Sequence, residues 1–329
     1  MMNSMQIPLV HIRTPTYKRG QELERCLKSL QKQTWQNWVC DVYDDDPEGS
    51  AQLTCDRIQD ERIFYTQNNP QKFASRNIDA CFSMHNPHQA DYFAVVEDDN
   101  FLLPEFMEEN IKICMRERVN LVLRNQLIEF ATATPDARVS SFGILDSSLV
   151  EKQYMPDEFH LSLISGIGVS NGGLFWSSVL KNSLEIGYDC TATLQEYMRT
   201  FSVAEPIFVA MKPLAVWAEN GEDTLRDIGS TGSYLRKELD AKRAIQILQR
   251  QAWKQANAEM KDTYLQSDAF AFSRTKRAAG LLKSLNDLSV LTELPFRQTV
   301  ELILRGTLIR LAGRTSGDFQ DFVASRGRA

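Results

Sequence analysis

The chain has 329 residues, 43% of them hydrophobic and 24% charged, with a formal net charge of −6. This is the composition of a globular chain long enough for one mixed core and an appendage. It contains no run of about 18 apolar residues, so no spanning helix is expected, and its first ten residues lack the basic and apolar segments of a signal peptide.

Charge is uneven. From Ala271 onward ten Lys and Arg face five Asp and Glu, a net of +5 that leaves −11 on the rest. An acidic body disfavours nucleic acid as a partner. A basic end fits contact with an anionic surface. The six cysteines stand singly, so reduced thiols in a cytoplasmic protein are expected. Four isolated histidines make a zinc site unexpected.

In chain order, PLVHIR (8–13) predicts a short strand stopped by TPTYKRG. In QELERCLKSLQKQ, Leu23, Leu27 and Leu30 recur at helical spacing. WVCDVY predicts a second strand, closed by the turn residues DDDPEG. A helix over 51–59, the strand RIFYT, a helix over 74–84 and the strand DYFAVVE follow. Pro104 is placed to open the next helix as its first-turn proline, and NLVLRNQLIEF reads as a strand. The alternation predicts an α/β fold, a mostly parallel twisted sheet with helices on both faces.

Ligands of such sheets bind beyond the carboxyl ends of the strands. Three strands end there in polar clusters: Thr14-Pro15-Thr16-Tyr17, Asp44-Asp45-Asp46 and Glu97-Asp98-Asp99. One such run is an ordinary solvated turn, but three on one rim point to a ligand. If the third cluster continues its strand, Glu97 and Asp99 share one face and Asp98 the other.

Residues 131–230 are less regular. SNGGLFW holds Gly172 and Gly173, where backbone can approach a ligand closely. TATLQEYMRTFSV predicts a helix carrying Glu196. From Ser233 the pattern is helical to the end, so a catalytic region (1–230) and a helical C-terminal extension (231–329) are expected. Within the extension, Val300, Leu304, Leu308 and Leu311 fall on one helical face, and Arg297, Arg305, Arg310 and Arg314 elsewhere. Two readings stay open: a helix packed on the catalytic region or a second subunit, or a peripheral membrane contact.

Taken together, HIRTPTYKRGQELERCLKSLQKQTWQNW, VYDDDPEGS, SRNIDAC, VVEDDNFLLPEFM, NGGLFW and LQEYMRTF resemble, in order, the motifs of the family-two inverting glycosyltransferases of GT-A fold. The resemblance covers about residues 7–225. It implies transfer of a hexosyl or N-acetylhexosaminyl group from a nucleotide-diphosphate sugar, most commonly a uridine diphosphate sugar, to an acceptor hydroxyl. A glycan or lipid-linked acceptor, a role in polysaccharide or glycoconjugate biosynthesis and a location at the inner face of a membrane go with it.

The resemblance also assigns residues. Pro15, Thr16 and Tyr17 would line the nucleobase, Asp44 would accept the uracil imide N–H, and Arg76 would approach the base or diphosphate. Lys18 and Arg19 read as loop charges near the phosphates. Asp98 would bind the ribose and Asp99 a divalent Mn²⁺ or Mg²⁺, with a Glu97–Asp99 pair as a variant. Glu196 would be the base, with Asp189 as runner-up. Gly172, Gly173 and Trp176 would serve the sugar or acceptor. Many relatives carry a histidine near Asn220; here Asn220, Glu222 or Asp223 would substitute through oxygen, or the metal would be held less tightly. A non-catalytic nucleotide-sugar binder is the rival reading. A sugar-phosphate nucleotidyltransferase is a weaker one, because TPTYKRG is no glycine-rich phosphate loop.

Overall fold

The computed structural model describes residues 7–132, 134–166, 169–219, 231–266, 269–285 and 293–326. Asn220, Glu222 and Asp223, and the expected boundary near 230, lie outside them.

The first half alternates as its periodicity predicts. β1 (Val10–Thr16) leads to α1 (Gly20–Gln31), β2 (Trp38–Asp44), α2 (Gln52–Ile58), β3 (Ile63–Gln67), α3 (Phe73–Ala80) and β4 (Tyr92–Val95). The short β5 (Phe101–Leu102) precedes α4 (Phe106–Glu117) and β6 (Leu121–Phe130). Then come β7 (Arg138–Gly143), β8 (Lys152–Tyr154), α5 (Pro156–His160), β9 (Leu174–Ser177), α6 (Ala192–Phe201) and β10 (Ile207–Ala218). The C-terminal part holds α7 (Thr231–Gln255), α8 (Ala258–Gln266), α9 (Arg274–Leu285), α10 (Phe296–Ala312) and α11 (Gly317–Arg326).

The sheet is mixed rather than mostly parallel. Its order is β3-β2-β1-β4-β9-β6-β10-β5, with β7 beside β6 and β8 beside β10. The run β3-β2-β1-β4 is parallel. β9 then inserts antiparallel between β4 and β6. Its antiparallel sense was hidden because LFW reads as a continuation of the glycine loop.

β1 runs three residues further than its apolar stretch. Thr14, Pro15 and Thr16 pair with Val42, Tyr43 and Asp44. Pro15 is tolerated in this central strand because of where its missing N–H would point. The carbonyl of Arg13 faces β4 and bonds Val96, and Pro15, two residues on, faces the same side, past the end of β4. Pro104 does not open α4: the helix begins at Phe106 with Glu105 as N-cap.

Helices cover both sheet faces. On one, Leu23, Leu27 and Leu30 of α1 and Phe106 and Ile111 of α4 pack against Val10, Ile12, Cys40 and Val42. On the other, Phe93, Trp176 and Val209 meet Ala278, Leu281 and Leu282 of α9. The extension therefore shares a core with the sheet. Gly280 marks how closely: a Cβ there would lie 2.3 Å from the carbonyl oxygen of Ile164. All six cysteines are free thiols.

Candidate active site

The register that pairs Thr16 with Asp44 and Arg13 with Val95 brings the carboxyl ends of β1, β2 and β4 onto one rim. Their polar clusters do different jobs there.

Asp44 is a correction. It is wholly buried, and its carboxylate accepts the N–H groups of Asp46 at 2.9 Å and Ala51 at 3.0 Å and the hydroxyl of Tyr65 at 3.2 Å. Those donors shape the turn into α2, so the carboxylate is already spent on the fold and is not open to a base. Asp45 likewise takes the first N–H groups of α3, from Lys72 and Phe73, each at 2.7 Å. Carboxylates at a helix start satisfy orphan donors and meet the positive end of the helix dipole.

The third cluster lies in a turn, since β4 ends at Val95 and the N–H of Asn100 closes back on the Glu97 carbonyl at 3.0 Å. The alternation of a strand therefore does not sort these acids. Asp98 Oδ2 accepts the Thr16 hydroxyl at 2.7 Å and the Tyr17 N–H at 3.4 Å. Arg19 donates to Asp99 Oδ2 and lies 3.4 Å from Asp98 Oδ1. Arg19, read from sequence as a loop charge, is thus the cation that holds the two aspartates together. Glu97 turns the other way, toward Asn171 Nδ2 at 3.4 Å.

Asn171 is the junction that sequence reasoning missed. Its side-chain oxygen accepts from Arg199 Nη1 at 2.6 Å, and its backbone N–H bonds Glu196. Arg199 is fully buried, with Asp79 at 2.8 Å, the Leu184 carbonyl at 3.0 Å and the Phe82 ring 3.7 Å beneath its guanidinium. This arginine fixes Asn171, and Asn171 brings α6 and the acidic turn together. The only sequence signal was an arginine three residues after Glu196 on the same helix.

Electrostatics follow from that crowding. Burial, then the charges of Asp99 and Glu196, push the Glu97 carboxyl up. Burial and Asp99 push Asp98 up as well, against the pull of Arg19. Burial raises Glu196 to about 7, opposed by Arg199 and the Asn171 N–H. The turn gathers carboxylate oxygens in a small space, and these are the hard donors that suit Mn²⁺ or Mg²⁺.

Other expected residues fall in several places. Pro15 is buried and Tyr17 is 45% exposed at the mouth of the rim. Arg76 is exposed and pairs with Asp189 at 3.0 Å, so the runner-up base sits in a solvated ion pair. Trp176 is a correction: it is 1% exposed and stacks on Phe82 and Phe93 at 5.3 and 5.7 Å, leaving no face for a sugar. Gly172 and Gly173 are also buried, and the backbone they admit is the protein's own. A Cβ on Gly173 would sit 2.6 Å from the Arg124 carbonyl, and one on Gly172 2.9 Å from the Gln126 amide.

Two of the four histidines do converge. His11 and His88 each place Nε2 2.9 Å from a different oxygen of Asp41. His11 lies five residues before Thr16 on β1, roughly 16 Å from the rim. Its buried Nδ1 has no hydrogen-bond partner among the described residues. A metal on Nε2 would leave Nδ1–H as a buried orphan donor, whereas metal-ligating histidines give that proton to an acceptor. The cluster fits a carboxylate held by two imidazole N–H groups. Burial alone would raise Asp41, but the two histidines hold it down at about 2.

The family model described as "Glycosyl transferase family 2" matches residues 12–172, which include the rim and the acidic turn. Among solved structures, S. aureus TarS 1-349 in complex with UDP aligns with a TM-score of 0.53 at 13% identity, over 97% of this chain and 90% of that one. S. aureus TarS 1-349 in complex with UDP-GlcNAc gives 0.51 at 11% identity, over 91% and 81%. At such identities the likeness is one of fold. No curated protein matches the sequence. Residues 12–172 thus resemble a glycosyl transferase family 2 domain, and the chain carries the GT-A fold.

Proposed function

We propose that this protein transfers a hexosyl or N-acetylhexosaminyl group, with inversion, from a uridine diphosphate sugar to a hydroxyl of a glycan or lipid-linked acceptor at the inner face of a membrane. The observation that carries this reading is the meeting of the acidic turn 97–99 with Glu196 across Asn171. One side of Asn171 holds carboxylates suited to a cation and the other holds a carboxylate able to take a proton near neutral pH. Support for the donor comes from the TarS structures, which contain UDP and UDP-GlcNAc.

In this reading Asp99, with Glu97 or Asp98, would hold Mn²⁺ or Mg²⁺, which when bound offsets the charge developing on a diphosphate leaving group. Pro15, Thr16 and Tyr17 line the nucleoside side of the cleft. Arg19, held at the aspartates here, is the chain's own cation for the phosphates. Arg76 reaches the cleft only by leaving Asp189. Inversion needs a single in-line displacement: the acceptor oxygen bonds to the anomeric carbon as the bond to the diphosphate oxygen breaks. The hydroxyl proton passes to Glu196, whose pKa near 7 suits a general base at neutral pH.

A thermal-shift screen of nucleotides and nucleotide sugars with and without Mn²⁺ tests the donor assignment. Uridine diphosphate and one of its sugars should raise the melting temperature most, and more with metal present. Equal shifts from all nucleotides, or none, would overturn it.

A further inference from the structure

One face of α10 is apolar and uncovered. Phe296, Leu304, Leu308 and Leu311 are 83, 64, 60 and 77% exposed, and Val300 38%. The opposite side of the helix, Thr299, Gly306 and Ile309, is buried against the rest of the extension. The stripe turns through about 120° and runs roughly 22 Å along the helix, far more than scattered surface leucines present.

A second, independent feature borders it. Arg297, Arg305, Arg310 and Arg314 accompany a single acid, Glu301, between residues 296 and 314. Arg243 and Arg250 of α7 and Lys283 of α9 lie near enough that, after burial, Arg310 and Arg305 hold their ionisation down. Neither Arg305 nor Arg310 has a carboxylate within ion-pair distance among the described residues. Among the described residues the extension has therefore gathered cations around an apolar strip, with Arg305 and Arg310 outside any ion pair.

We infer that this face of α10 docks on an anionic lipid surface, the leucines and Phe296 entering the acyl boundary and the arginines meeting headgroup phosphates. Charge decides between this occupant and a second copy of the chain. A two-fold pairing would set stripe on stripe and cationic border on cationic border, with one Glu301 per copy against four arginines. An anionic bilayer complements both features at once. No helix among the described residues is long and apolar enough to cross a membrane, so the contact lies on the surface. The inference does not rest on the proposed transfer activity.

Deleting the segment would uncover the core beneath it, so the test uses exposed positions in the full chain. Flotation is measured with vesicles of phosphatidylcholine alone and with about one third phosphatidylglycerol. The wild type should float with the anionic vesicles only, and release as salt rises from about 0.05 to 0.5 M. Leu304→Gln with Leu308→Gln, and separately Arg305→Gln with Arg310→Gln, should each lower the bound fraction at least about tenfold, with melting temperatures unchanged. No flotation of the wild type, or flotation of either variant equal to that of the wild type, overturns the inference. A dimer in solution that the leucine variant dissociates, without vesicle binding, overturns it in favour of self-association.

Discussion

Glutamine at position 196 removes one proton acceptor and keeps the side chain's size. Its amide oxygen still accepts the Asn171 N–H, so Asn171 and Arg199 keep their places. The change also removes a negative charge that faces Glu97, so Glu196→Gln should fold with a melting temperature at or above that of the wild type. Catalysis should move the opposite way. A positioned general base contributes about 10² to 10⁴ in rate, so kcat should fall by that factor with donor KM nearly unchanged. The pH profile makes the prediction specific. With a pKa of about 7, roughly half of Glu196 is ionised at neutrality. The wild-type kcat should drop about tenfold per unit below that point, and the variant should lose this limb. The assay is UDP release from a UDP sugar with acceptor and Mn²⁺, followed between about pH 5.5 and 8.5. A variant retaining a third or more of wild-type kcat, or one keeping the acid limb, refutes Glu196 as the base.

Four further outcomes follow from the same contacts. Arg199→Leu leaves Asp79 buried without its cation and frees Asn171; a loss of about 3–5 kcal/mol in urea unfolding is expected, and under 1 would show the pair to be incidental. Trp176→Ala should cost about 3–5 kcal/mol through a core cavity with acceptor and donor KM preserved, whereas a large KM change with little destabilisation would restore it to the sugar site. Gly173→Ala sets a methyl against the fixed carbonyl of Arg124 and should destabilise by about 1–3 kcal/mol; a neutral effect would mean the close approach is not held. His160 is held by burial at about 4 while its Nε2 bonds the Val203 carbonyl. A depressed pKa means its contribution to stability is complete above about pH 6.5 and is lost as pH falls through 4, close to 3 kcal/mol. The urea midpoint of His160→Gln should therefore fall less than the wild type's over that interval, and parallel curves would refute the assignment.

Much of the architecture was legible because it rests on local periodicity. Leu23, Leu27 and Leu30 fix a helix against the sheet wherever the strands go, and the turn residues after Tyr43 end a strand by their own chemistry. Order along the chain also disclosed the rim, since parallel strands carry their ends to one side. What sequence hid is long-range pairing. Nothing local distinguishes LFW as an antiparallel strand between β4 and β6, so Trp176 and the two glycines looked like ligand contacts when they are core. Acidic runs are equally ambiguous. Asp44 and Asp45 serve turn and helix donors, while Asp98 and Asp99 meet at the Arg19 guanidinium. Which run organises backbone depends on the N–H groups nearby, and those are set by the fold. The contacts that Arg19, Asn171 and Arg199 make were hidden for a related reason: each acts through partners 28 to 120 residues away.

The central claim is that the turn at Asp99 serves metal-assisted departure of a nucleoside diphosphate. The most direct test compares UDP release by the wild type and Asp99→Asn over a Mn²⁺ titration, donor present, with nucleotide binding measured in parallel by calorimetry. Wild-type release should rise with Mn²⁺ and saturate, and Asp99→Asn should lose about 10²-fold or more in kcat together with its metal dependence. Equal turnover in both proteins, or metal-dependent nucleotide binding without any turnover in the wild type, would contradict the account.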